Sequence, residues 1–209
     1  MATNTTATAA TTKTAALRPD FAAIANWIKP NTKILDLGCG DGALLKYLHQ
    51  ERNIFGYGVE IDDKNVLGCL QNGINVIQND LESGLSSFAT DSFDYVILSQ
   101  TLQAMKHTAE IIQEMLRVGR EGIVSFPNFG HWKNRLQVIR GHMPISESLP
   151  YNWYDTPNIH LCTLGDFEEL CNQCNATILE RRVMSGDRQI ELFPNLMGKL
   201  AFYRFERQT

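Results

Sequence analysis

Asp36, Gly38, Gly40 and Gly42 occupy alternate positions in Ile34-Leu-Asp-Leu-Gly-Cys-Gly-Asp-Gly-Ala-Leu-Leu45, behind a short apolar run and ahead of a helical pattern. Glycine at every second position clears side chains from a bend and permits left-handed dihedrals. Between a strand and a helix start, such a loop presents backbone N–H groups to a small polar ligand. The spacing is G-x-G-x-G, not the G-x-G-x-x-G of a dinucleotide site, and the chain has no G-x-x-x-x-G-K-[ST] for a nucleoside triphosphate. Asp36 and Asp41 would repel a pyrophosphate and suit a ligand bearing an ammonium group. An ordinary strand-to-helix turn in another α/β protein is the alternative reading of this loop.

Three further points of the chain repeat the pattern of an apolar run ending in a polar group. Glu60 follows Gly56-Tyr-Gly-Val, Asp80 precedes Leu81, and Gln100 follows the apolar run 93–99. In open parallel sheets ligands lie across the carboxyl ends of the strands, which is where these residues fall. A carboxylate about twenty residues beyond a glycine loop can accept both hydroxyls of a ribose. An acid followed by an apolar residue suits the amino group and ring face of an adenine. Taken singly, each acid also reads as a helix cap or a solvated loop residue.

The elements that must position these residues alternate in type. Helical spacing over 21–28 stops at Lys29-Pro30, because the residue before proline disfavours helix. Strands are predicted at 33–37, 56–61, 75–78, 93–99 and 122–126. Helices are predicted at 43–50, from Asp62 or Asp63 to 71, and at 109–118. Thr163-x-x-Asp166 reads as a capping box opening a helix through 174. Two consecutive late strands, 177–183 and 199–206, predict a C-terminal antiparallel hairpin. Strand–helix alternation implies a mostly parallel sheet with right-handed crossovers and helices on both faces. The expected fold is therefore α/β and Rossmann-like, with a seven-stranded sheet.

Composition limits the partners. The 209 residues suit one domain, and a net charge of −4 offers no general basic surface to nucleic acid or anionic membrane. No apolar run approaches the ~18 residues of a membrane-spanning helix. Residues 1–16, nearly all Thr and Ala, read as a disordered tail before a single domain at 17–209. The five cysteines, an odd number without a secreted-domain spacing, favour reduced thiols and a cytoplasmic address. A zinc site would need Cys171-x-x-Cys174 to converge with His160 and Cys162. Cysteines buried on a helix face account for the same residues, and no metal is assigned.

The D-x-G-x-G-x-G loop resembles that of class I S-adenosylmethionine (SAM) methyltransferases, as does the β-α alternation closing in a hairpin. By that resemblance the backbone of Gly38, Cys39 and Gly40 would hold the methionine end of SAM, below Asp36. Glu60, with Ile61 beside it, would hold the ribose, and Asp80 and Leu81 the adenine, with Gln100 at the fourth strand end. S-adenosylhomocysteine would be the product of any methyl transfer. Two departures stand out. Ser99-Gln-Thr-Leu-Gln103-Ala104 replaces the S-x-x-L-E-H of many small-molecule methyltransferases, and no N-P-P-Y tetrapeptide is present.

The segment 127–162, PNFGHWKNRLQVIRGHMPISESLPYNWYDTPNIHLC, concentrates four prolines, two tryptophans, two tyrosines and three histidines. A connection of this length reads as a lid, a binding loop or a partner surface. Residues 132–140 predict a basic amphipathic helix bearing Lys133, Arg135 and Arg140. Methyl transfer from a sulfonium needs alignment and desolvation, with a base only where the acceptor loses a proton. His131, Tyr154, Asp155 and His160 are the candidate proton-transfer groups; each also reads as a structural hydrogen-bonding residue.

Ser125-Phe-Pro-Asn-Phe-Gly-His-Trp-Lys-Asn-Arg-Leu136 and Leu149-Pro-Tyr-Asn-Trp-Tyr-Asp-Thr-Pro-Asn-Ile-His-Leu-Cys162 are similar to the methionine biosynthesis protein MetW family. The similarity runs from Leu17-Arg-Pro-Asp20 to near Arg204. The resemblance implies a role in bacterial methionine synthesis together with a homoserine O-acyltransferase. Two functions are consistent with it. One is an accessory or regulatory SAM-binding partner of that acyltransferase, docked through the segment 127–162. The other is a free-standing SAM-dependent methyltransferase acting on an unidentified small molecule.

Overall fold

β1 (Lys33–Leu37) is buried from Ile34 to Leu37, as a parallel strand covered on both faces must be. It lies in the interior of a sheet whose parallel part runs β3-β2-β1-β4-β5. These strands are β2 (Phe55–Glu60), β3 (Asn75–Gln78), β4 (Phe93–Ser99) and β5 (Gly119–Pro127). The computed structural model describes residues 19–147 and 149–208, so the predicted Thr/Ala-rich tail lies outside them.

Strand alternation sends successive side chains to opposite faces, and each set meets its own helices. Leu35, Leu37, Val96, Leu98, Val124 and Phe126 pack with α4 (Thr108–Val118) and α6 (Leu164–Gln173). Ile34, Tyr95, Ile97 and Ile123 pack with α1 (Pro19–Ala25) and α2 (Ala43–Arg52). Cys69 of α3 (Asp63–Gln71) joins that second cluster. Two sequence caps hold as read. Asp62 accepts from the Lys64 and Asn65 amides, and Thr163 with Asp166 closes a capping box on α6.

The late strands differ in connection from the simple hairpin. β6 (Ala176–Ser185) and β8 (Leu200–Arg207) pair antiparallel, with β8 inserted between β5 and β6. Between them, Gly186 turns at φ 61° into an eighth strand, β7 (Arg188–Gln189), and then α7 (Pro194–Met197). Burial explains the order. Phe202, Tyr203 and Phe205 are fully buried and need cover on both faces, which only the internal slot supplies. β6 alternates in exposure and tolerates the outer position.

Phe126, Phe167 and Tyr203 join β5, α6 and β8 through ring centroids 4.7–5.9 Å apart. The Tyr203 hydroxyl donates to Glu168 Oε1 at 2.9 Å. Phe167→Ala is expected to lower stability by ~3–5 kcal/mol in urea unfolding, because the sheet cannot close on the void. Arg181→Ala, which removes an exposed ion pair to Glu168, is expected to cost less than ~1 kcal/mol.

Candidate functional site: the carboxyl edge of the parallel strands

Gly38, Gly40 and Gly42 all take positive φ, at 66°, 57° and 76°, conformations that L side chains rarely adopt. Space adds to the constraint at two of them. A Cβ at Gly38 would lie 2.9 Å from the Thr101 side chain, and one at Gly42 3.0 Å from Ile74. Around Gly40 no atom lies within 4 Å of that position, so a ligand can approach its backbone directly.

The loop amides turn inward, contrary to the outward presentation expected from the motif. Gly38 and Cys39 both donate to the Val59 carbonyl, at 2.8 and 3.1 Å, and Gly40 donates to Glu60 Oε2 at 2.8 Å. Parallel pairing of Leu37 with Val59 brings β2 alongside and forces this arrangement. Asp41 accepts from the Ala43 amide at 3.1 Å, holding the turn ahead of α2, whose N-cap is the left-handed Gly42.

Glu60 is the centre of the edge. It is only 8% exposed, and its Oε1 accepts from the Ile61 and Asp62 amides at 2.9 and 3.0 Å. A carboxylate has about four acceptor positions, and these three donors leave one. The exposed Asp80 accepts from the Glu82 amide at 2.9 Å, holding a single helical turn at Leu81–Ser83. Leu81 packs partly on the core, and Ile61 stands exposed beside Glu60. Asp36 is buried at 2% exposure and shares the α1–α2 side of β1 with Ile34.

Cys39 contributes its backbone to this edge, whereas its thiol is buried 3.6 Å from that of Cys69 and packs against Gly58. Burial, with Asp36 nearby, pushes the Cys39 thiol well above the ordinary range, which makes it a packing group. Cys69 donates to the Gly40 carbonyl at 3.1 Å. The Gly40 peptide is thus held at both ends by residues distant in sequence. Gly58 and Cys69 were missed by sequence reasoning; the glycine inside Gly56-Tyr-Gly58 was the available signal for the first.

Gln100 takes a left-handed φ of 55°, unusual for this residue type. Its amide donates to the Ser125 carbonyl at 2.8 Å and its side chain to Asp20 Oδ2 at 2.7 Å. A cavity of about 230 Å³ opens there, with Asp20, Gln100, Met184, Lys199 and Phe202 among its walls. Gln103 donates to the Gln100 carbonyl at 2.7 Å, and its own carbonyl accepts from the Ile159 and His160 amides. The turn after β4 is therefore stitched to the long connection between β5 and α6.

That connection carries the predicted basic helix as α5 (Trp132–Ile139). It also leaves much apolar surface uncovered, with Ile139 81%, Trp153 72% and Tyr154 70% exposed. The four proton-transfer candidates do not converge on one another. His131 is buried at the N-terminus of α5, its Nδ1 accepting from the Lys133 amide at 3.4 Å. Tyr154 stands edge-on to Trp153 at the surface, and the exposed His160 lies 3.3 Å from the Lys106 carbonyl. Asp155 accepts from Asn152 at 3.2 Å. Burial raises the thiols of Cys162 and Cys171 to about 12, and no metal-holding cluster of His, Cys, Asp and Glu occurs among the described residues. No helix among them is long and apolar enough to cross a membrane.

Sheet order, glycine loop and strand-end acids define an α/β protein of the class I methyltransferase-like fold. A SAM-dependent methyltransferase from Mesorhizobium loti superimposes with a TM-score of 0.69 at 17% identity, over 91% of this chain and 99% of that one. A TehB-like SAM-dependent methyltransferase from Corynebacterium glutamicum gives 0.62 at 15%, over 92% and 89%. Within that fold, residues 18–205 match the family described as methionine biosynthesis protein MetW, and the chain belongs to it. A bifunctional methionine biosynthesis protein MetXA/MetW from Rhodopirellula baltica is 37% identical over 207 residues, 92% of this chain. The chain spans 33% of the length of that relative.

Two outcomes follow from the geometry. Gly58→Ala puts a Cβ into the Cys39 thiol, so it is expected to lose ~1–3 kcal/mol in thermal unfolding through overpacking. Burial, with Lys199 and Lys133 nearby, holds His131 below its ordinary pKa. As pH falls the unfolded chain then takes up the proton first, so stability declines as pH drops through about 6.5. His131→Gln is expected to flatten this decline in melting temperature.

Proposed function

We propose that this chain binds SAM across the carboxyl ends of β1, β2 and β3 and serves methionine synthesis as an accessory or regulatory partner of a homoserine O-acyltransferase. The observation that carries the binding reading is the Gly40–Glu60 pair. The backbone of Gly40 is open to approach, and Glu60 keeps one acceptor position for a ribose hydroxyl. Asp80 and Leu81 would take the adenine, the former through its carboxylate and the latter as an apolar face. SAM supplies a methyl group activated on a sulfonium. These residues bind and orient it and, at the buried edge, keep water out.

The partnership rests on the MetXA/MetW relative, which unites the two names in one chain. It is supported by the uncovered apolar side chains of the connection between β5 and α6. Leu192 and Phe193, ahead of α7, are likewise uncovered at 79% and 75% exposed, and Phe193 is held at a positive φ of 49°. Exposed apolar groups and backbone strain together mark a contact surface. SAM would regulate the partner only through different affinities for its two states. A second reading, methyl transfer to a small molecule, is favoured by the cavity against Gln100 and Asp20. None of His131, Tyr154 and His160 is among its walls.

Glu60→Gln and Glu60→Ala are expected to weaken SAM binding at least tenfold by isothermal titration, with circular dichroism reporting the fold. Unchanged affinity in a folded variant overturns the ribose assignment. The acylation rate of the cognate homoserine O-acyltransferase is expected to change when this protein is added at constant SAM. A constant rate, with S-adenosylhomocysteine released from a cellular metabolite fraction, favours the second reading.

A further inference from the structure

The chain that follows β3 has little of its own to hold it in place. Leu81–Ser83 is a single helical turn, too short to be stable alone, and Gly84 ends it at φ 82°. Ser83 Oγ bonds locally, to the Asp80 carbonyl at 2.6 Å and to Asn79 Oδ1 at 3.4 Å. Leu81 reaches the core in part. A cavity of about 130 Å³ is walled by the stretch Leu81–Gly84 together with Met105, His107 and Ile111 among others, so packing leaves the turn room to shift.

Glu82 supplies the tie that the turn lacks. Its Oε1 accepts from the Lys106 amide at 2.6 Å, and His107 Nδ1 lies 2.7 Å from Oε2. The Lys106 amide, and after it the His107 ring, hold the Glu82 carboxyl below the usual carboxylate range. The stretch after β4 that receives it is fixed in its own right, because the Gln103 carbonyl accepts from the Ile159 and His160 amides at 2.8 and 3.0 Å. The main chain of Glu82 is engaged as well, its amide donating to Asp80 Oδ1 at 2.9 Å. That bond orients the exposed Asp80 carboxylate and leaves Oδ2 to accept from a ligand. Beyond Gly84 the chain has a separate clamp. Glu114 accepts from the Leu85 amide at 3.2 Å, and Arg117 donates to the Leu85 and Phe88 carbonyls.

We propose that Glu82 is a positioning residue for purine recognition: by tying the turn after β3 to the turn after β4, it aims Asp80 Oδ2 at the 6-amino group of the bound adenine. The inference rests on the SAM-binding reading above and adds the group on which base selectivity at that site depends. An adenine offers a donor at the 6-position, which a carboxylate accepts. A 6-oxo purine sets an oxygen against the same carboxylate and is rejected. Discrimination lasts while Asp80 keeps its direction, because a hydrogen bond weakens steeply with angle.

The full chain is titrated calorimetrically with S-adenosylhomocysteine and with S-inosylhomocysteine, its 6-oxo counterpart. Wild type is expected to prefer the adenine ligand at least tenfold, and Asp80→Asn to lose most of that preference. Glu82→Ala is expected to reduce the preference at least threefold although Asp80 is intact. Glu82→Asp, charged but one methylene short of its two donors, is expected to do the same. Glu82→Gln, which keeps an oxygen for the Lys106 amide, is expected to retain most of it. Glu114→Ala loosens the neighbouring clamp and is expected to lower the melting temperature without changing the preference. Unchanged preference in Glu82→Ala or, where that variant does not melt cooperatively, in Glu82→Asp overturns the proposal. An equal loss in Glu114→Ala overturns it too. If wild type binds neither ligand, the SAM-binding reading falls and this one with it. If Asp80→Asn loses the preference while the Glu82 variants keep it, this one falls alone.

Discussion

The functional edge depends on how one peptide unit, that of Gly40, is held. Its N–H is bound by the Glu60 carboxylate and its carbonyl by the Cys69 thiol, so the loop after β1 is fixed by β2 and α3. Neither tie would exist without the parallel pairing of β1 with β2, which sets Leu37 opposite Val59 and carries Glu60 to the loop. Glu60 also accepts from the Ile61 and Asp62 amides. A single buried carboxylate thus joins a glycine loop, a strand end and the approach to a helix. Hydrogen bonds to an ionised acceptor are stronger than neutral ones, which suits it to bear three connections.

The rest of the molecule serves to keep that edge in place while leaving another surface open. Apolar clusters on the two faces of the sheet enclose β1 from Ile34 to Leu37 and β4 from Tyr95 to Leu98. Several departures from ordinary packing lie away from that framework. Gln100 and Phe193 have left-handed backbones, Gln103 and Asn134 hold buried oxygens without partners, and large apolar groups stand exposed between β5 and α6. Such costs persist where the surrounding structure overrides them, and they collect at binding sites more than in scaffolds. Those named fall on the turn after β4, α5 and the approach to α7, while others, such as the left-handed Asn31 and Asn175, sit at ordinary turns.

Much of the fold was readable because parallel strands are buried on both faces and so appear as apolar runs between amphipathic helices. The strands from 33–37 to 122–126 and the caps at Asp62 and Thr163 followed from local chemistry alone. The late strands were also legible, but not their order. The antiparallel pairing of 177–183 with 199–206 stands as β6 with β8, and the burial of Phe202, Tyr203 and Phe205 places β8 between β5 and β6. β7 escaped notice because two residues carry no period.

At the site, the types and spacing of Asp36, Gly38, Gly40, Glu60 and Asp80 were determined by the sequence itself. Strand alternation and glycine's dihedral freedom are local properties. What tertiary structure decided was the partner of each group. It set Glu60 on the Gly40 amide, turned Cys39 away into the core beside Cys69, and separated His131 from Tyr154 and His160. It also carried the Glu82 carboxylate to the Lys106 amide, 24 residues further along the chain. Such pairings arise from packing between elements, which no period or motif within a single element encodes.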